Sequence, residues 1–150
     1  MTMPGAVPFV ALLAPPLLAA SVAPLGRTYP RTITGAHALL ALVPVAASVW
    51  LAALVVDGAV PTWGPAQLFR VDALSALLAV CVAGVSALAA LLGPGFRHAP
   101  PGEACRFHLF ASLFAFTMLV AVTTDNVAVM WVAIEATTIT SAVVDRKSVV

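Results

Sequence analysis

Along this chain apolar residues gather in long runs broken by short polar stretches, without the strict alternation of a half-buried strand. The first run, Pro4 to Leu25, contains no charged side chain and reaches the roughly 20 residues that a helix needs to cross a bilayer. Its Pro15-Pro16 pair predicts a kink, which a membrane helix tolerates when neighbours or water satisfy the freed carbonyls. No positive charge precedes the run, which argues against a cleaved signal peptide. "GRTYPRT", Gly26 to Thr32, is a short loop, and a second span runs from Ile33 to Val56. "DGAVPTWGPAQLFR" follows, its prolines, glycines, Trp63 and Phe69 suiting a loop at a membrane interface. A third span covers Val71 to Leu92, a fourth Phe107 to Val122, and a fifth Val127 to Val144. "TTDN", Thr123 to Asn126, carries turn and helix-capping side chains between the last two. Short connections force sequential helices to lie antiparallel. The predicted fold is therefore all-α, a polytopic transmembrane bundle of about five spans over residues 1–144, with an atypical tail at 145–150.

Composition removes the soluble alternatives. With 62% hydrophobic and 9% charged residues and a mean hydropathy of +1.08, the chain cannot present the charged surface of a soluble domain. A net charge of +1 with no basic cluster larger than Arg146-Lys147 gives no reason to expect a nucleic-acid partner. Where the charges fall says more. Arg27 and Arg31 lie in the first loop, Arg97 and Arg106 in the third, and Arg146 and Lys147 beyond the fifth span, against Arg70 alone on the other side. Six to one is a positive-inside pattern, predicting the amino terminus outside and the carboxyl end in the cytoplasm. Cys81 and Cys105 fall at different depths without ligand spacing and read as ordinary thiols.

Glu135, near the middle of "MWVAIEATTITSA", is the outstanding chemical candidate. A carboxylate at mid-bilayer costs roughly 2.5 to 3.5 kcal/mol on insertion scales, so it faces a bundle interior, a partner or water. Ala128, Trp131, Thr138 and Ala142 share its helix face, offering close helix approach and a hydrogen bond from Thr138 to the carboxyl. The alternative is a protonated glutamate that serves as packing glue. Asp72 opens the third span as a helix cap or a supporting group, and Asp125 and Asn126 read as turn and cap residues. His37, about one turn inside the second span, is placed either to relay a proton or to bond a backbone carbonyl. His98 and His108 flank the third loop without metal-ligand spacing, so no metal site is expected. The hydroxyls of Thr137, Thr138, Thr140 and Ser141 either line a wet path or bond back to their own helix. No glycine-rich phosphate loop, nucleophile elbow or zinc spacing occurs, so no self-contained active site and no bound cofactor are expected.

"FRVDALSALLA" and "TTDNVAVMWVAIEATTITSA" resemble the antiporter-like proton-translocating subunits shared by respiratory complex I, Mrp antiporters and membrane-bound hydrogenases, "MWVAIEATT" being most similar to the hydrogenase-4 and formate hydrogenlyase branch. The resemblance covers about Phe69 to Val144; the first two spans agree only in length and hydropathy. It implies a multi-pass protein of a prokaryotic cytoplasmic (inner) membrane, partnered by other membrane subunits of a respiratory or hydrogenase complex, by lipid and by protons. It also implies that Glu135 occupies the place of a fifth-span glutamate that pairs with a lysine on a later, broken helix. Redox chemistry would then belong to hydrophilic subunits, and this chain would be a non-redox part of the oxidoreductase. The family's members are several hundred residues long, and "DRKSVV" departs from their pattern, so the expectation is an amino-terminal piece of such a subunit. A cation/proton antiporter fragment and a non-transporting structural membrane protein are the competing expectations.

Overall fold

A computed structural model describes residues 6–27, 30–92 and 101–145. Five helices follow one another: α1 Ala6–Val22, α2 Pro30–Val56, α3 Ala73–Leu92, α4 Pro101–Thr123 and α5 Val127–Asp145. Four of them are long and apolar enough to cross a membrane, whereas the apolar part of α5, Val127–Ala142, is shorter. The predicted all-α membrane bundle is therefore the observed one. Boundaries differ at the helix ends. The first span stops as an α-helix at Val22 and continues as a 3-10 turn, Ala23–Arg27. The fourth begins six residues earlier than hydropathy suggests, at Pro101, because proline at a helix start loses no hydrogen bond and already has a helical φ.

α1 packs on α2 and α4, and α3 packs on α2 and α4, so the first four helices close into a ring; α5 lies outside it, against α4. Small side chains set how closely the ring can close. Ala76, Ala79, Ala83 and Ala87 of α3 are buried and repeat at helical spacing, while Leu74, Leu77, Val85, Leu88 and Leu92 of the same helix are exposed. Small inside and large apolar outside reverses the soluble pattern, as expected where lipid solvates the large chains and association depends on close backbone approach. Polar side chains are also drawn inward: His37, Ser48, His108, Thr123 and Thr140 are all buried. Ser48 Oγ donates to Val45 O at 2.9 Å and Thr123 Oγ1 to Leu119 O at 2.7 Å, so these hydroxyls are satisfied within their own helices.

One end of the ring is sealed by the α2–α3 connection. The predicted interfacial loop contains a two-stranded antiparallel ribbon, β1 Thr62–Trp63 with β2 Phe69–Arg70. Trp63 stacks on Phe69 with ring centres 5.6 Å apart, and both reach Phe9 of α1, at 6.0 and 6.1 Å. Beneath them lies the core of Phe9, Leu12, Leu51, Val71 and Leu119. The α4–α5 turn is tied to the same connection, because Thr124 Oγ1 and the Asp125 amide both donate to Leu68 O, at 3.1 and 2.9 Å. α2 can end at Val56 because Gly58 adopts φ +85° and the Ala59 amide bonds Leu54 O at 3.0 Å, a left-handed helix stop suited to glycine.

Caps fix where α3 and α5 begin. Asp72 Oδ1 accepts from the Ser75 amide at 2.8 Å, and Asn126 Oδ1 accepts from the amides of Ala128 and Val129 at 2.9 and 3.2 Å. The hydrogen bonds from Ser75 hold the Asp72 carboxyl below its ordinary value of 3.8. A lowered folded-state value means that this stabilisation is present above pH 3.8 and is lost as pH falls through the folded value. Thermal unfolding in detergent should therefore show Asp72→Asn near the parent at neutral pH with a weaker acid dependence, and Asp72→Ala about 0.5 to 2 kcal/mol less stable. An alanine variant as stable as the parent would show that this cap does not hold the start of α3.

Candidate functional site

Glu135 sits at the middle of α5. Two residues beyond the buried Ala133, it lies about 200° around the helix from it, and α5 packs on α4 through the Ala133 and Thr140 side. Glu135 consequently faces away from the bundle and is exposed, as are Ala128, Trp131, Thr138 and Ala142 on the same stripe. Among the described residues it makes no hydrogen bond or ion pair. The expected bond from Thr138 is not formed: Thr138 Oγ1 donates instead to Ile134 O at 3.1 Å, since a helical threonine always has a carbonyl of the preceding turn in reach. Thr140 and Ser141 also bond back along α5, at 3.0 Å to Ala136 O and Thr138 O. Thr137 also bonds back, to Ala133 O at 2.8 Å, but reaches a second helix as well. Its hydroxyl reaches Thr117 Oγ1 of α4 at 2.9 Å, linking the two helices on the side opposite Glu135.

The other site candidates lie apart from Glu135. Asp72 is spent as the cap of α3 at the ribbon end. His37 is buried near the start of α2 and meets His108, buried near the start of α4, with ring centres 4.7 Å apart and planes at 38°. α2 and α4 stand on opposite corners of the four-helix ring, so this contact crosses its middle. Both histidines line a cavity of about 130 Å³ between α1, α2, α3 and α4. Its wall includes Pro15 and Pro16 of α1 and Pro44 of α2, with the hydroxyl-bearing Ser86 and Ser112 among otherwise apolar side chains. The prolines matter locally, because each removes an amide from its helix and frees a carbonyl one turn earlier.

His108 carries no weight in a reading that treats loops separately, yet its position held a signal. His37 is the third residue of the apolar span Gly35–Val56, and His108 the fourth of Cys105–Thr123; two helices entering from the same side bring such residues to one depth. His98, Arg97, Arg146 and Lys147 lie outside the described residues. Among the described residues no three His, Cys, Asp or Glu side chains come together in a way that could hold a metal ion. Cys81 is exposed and Cys105 buried, and both are free thiols.

Two polar places therefore stand out in an apolar molecule, an exposed carboxylate at mid-helix on the peripheral α5 and a buried imidazole pair inside the ring. Comparison with protein-family models, with curated proteins and with solved structures gave no match.

Proposed function

We propose that the chain is the amino-terminal part of a proton-translocating membrane subunit of a complex I-like or hydrogenase-4-like oxidoreductase, with Glu135 as the carboxylate that takes up and passes on the proton. The observation that supports this reading is the outward aspect of Glu135 on the peripheral helix. A carboxylate at the middle of a membrane helix costs roughly 2.5 to 3.5 kcal/mol when left to lipid, and packing inside this bundle does nothing to offset that. The stripe of Ala128, Trp131, Glu135, Thr138 and Ala142 suits a further protein element that supplies a cation or a polar path. That is the arrangement implied by the resemblance of "MWVAIEATT" to the antiporter-like subunits. In this reading α1 to α4 form a scaffold, α5 presents the proton carrier at one side of it, and electron transfer takes place on other subunits.

The six-to-one division of Lys and Arg supports an orientation with the amino terminus outside and the segments 26–32 and 93–106, which include the starts of α2 and α4, in the cytoplasm. Cysteines placed in those two segments should react only with reagent supplied from the cytoplasmic side. Reaction from the outer face would reverse the orientation.

Variants of Glu135 in the full-length subunit separate proton transfer from packing. Glu135→Gln keeps shape and hydrogen bonding but removes the titrating group, so membrane abundance should be preserved while pumping falls by about tenfold or more. Glu135→Asp should retain part of the activity. If the residue were only packing glue, Gln would be tolerated in both assembly and pumping, and Glu135→Ala would lower abundance by leaving a partner unsatisfied at roughly 1 to 3 kcal/mol. Proton pumping and abundance are read together, and an abundant Gln variant pumping at the parental rate would end the proposal.

A further inference from the structure

The buried histidines require their own account, since nothing in the role of Glu135 uses them. Their side chains are 2% and 4% exposed, and two polar rings are not placed by chance at the centre of an apolar ring of helices. Hydrogen bonding within the bundle does not account for both: His108 Nε2 is buried without a hydrogen-bond partner, although a buried polar atom normally has one. His108 lines the cavity of about 130 Å³ together with His37, Ser86 and Ser112. Water occupies about 30 Å³ per molecule in the liquid and needs two to four polar partners when buried. The cavity has the room, and two imidazoles with two hydroxyls supply the partners.

We infer that His37 and His108 form a second protonatable site of the molecule, a hydrated imidazole pair that takes up one proton between them at the end of the bundle opposite the ribbon. It uses residues, helices and a compartment distinct from those of Glu135, and it stands whether or not Glu135 carries protons. In the uptake step a hydronium ion in the cavity gives its proton to an imidazole nitrogen, one N–H bond forming as one O–H bond breaks, with water as the product. A second proton is opposed by the like charge held on a ring centred 4.7 Å away and by the surrounding apolar walls. The two rings therefore titrate as a unit rather than separately.

Among the described residues few other charges bear on this pair. α1 and α3 contribute no acidic or basic residue within their described spans. α4 carries Glu103 and Arg106, both exposed, and the buried thiol Cys105; α2 and the 3-10 turn after α1 bring only Arg31 and Arg27 to this end of the sequence. Among the described residues no carboxylate lines the cavity. A metal is the less suitable ligand, since zinc takes at least three protein donors and no third His, Cys, Asp or Glu joins the two rings among the described residues.

The test uses the 150-residue chain with nitrogen-15-labelled histidine, in lipid nanodiscs and carrying His98→Gln so that two imidazoles remain. Their ring nitrogen shifts are followed from about pH 8 to about pH 4. The resonances of His37 and His108 should move together through one transition that accounts for one proton in total. His37→Gln should abolish the shared movement and raise the His108 midpoint, because the like charge that opposes its protonation is gone, with helicity checked by circular dichroism. The proton count of the parent chain decides the matter even if that variant fails to fold. Rings that stay neutral throughout, or rings that take up two independent protons with His108 unmoved by His37→Gln, would overturn the inference.

Discussion

Close approach of four helices through small side chains is the constraint on which the rest of this structure depends. Lipid solvates leucine as well as another leucine does, so apolar area alone cannot draw membrane helices together. What remains is contact between backbones, and the alanine stripe of α3, together with Ala19, Ala47 and Ala115 on the other three helices, permits it. The tightness of the ring brings residues at opposite corners within reach, and the His37–His108 contact follows from it.

The two ends of the ring are built from different chemistry. At the ribbon end Trp63 and Phe69 cover the core, and the bonds from Thr124 and Asp125 to Leu68 O fasten the connection over it. At the other end prolines and histidines border a cavity. A sealed end and a polar, roomy end give the bundle a direction. Regular α3, with neither proline nor charge inside it, keeps the wall intact between them.

Much of this architecture was legible from the chain. Long apolar runs fixed the number of helices, and the side-chain oxygens of Asp72 and Asn126 marked helix starts because capping is a local interaction set by neighbours in sequence. Back-bonding of Thr138, Thr140 and Ser141 was likewise one of two local alternatives. The ribbon of β1 and β2 was not legible, since two strands of two residues each leave no periodicity to read. Nor was the histidine pair, which depends on the order of helices around the ring, a long-range property that no single segment encodes. For Glu135 the helix and the depth were readable, but its direction was not: only the choice of which α5 face packs on α4 decides that it looks outward. Thr137 shows the same limit, as its bond to Thr117 required knowing that choice.

In the proposed reading α5 is the helix through which the bundle meets its partner. Thr137 and Thr140 serve the contact with α4 on one side, and Glu135 with Trp131 and Thr138 face the other. The central claim of the proposal is that this outer stripe is covered by protein rather than by lipid in a full-length subunit. Single cysteines at positions 131, 135 and 138, in a background with Cys81 and Cys105 replaced by alanine, can be spin-labelled and their exposure to lipid-dissolved oxygen measured. In the 150-residue chain all three labels should collide freely with oxygen, and in the full-length subunit the label at 135 should be protected. Equal, high oxygen exposure at position 135 in both proteins would contradict the account.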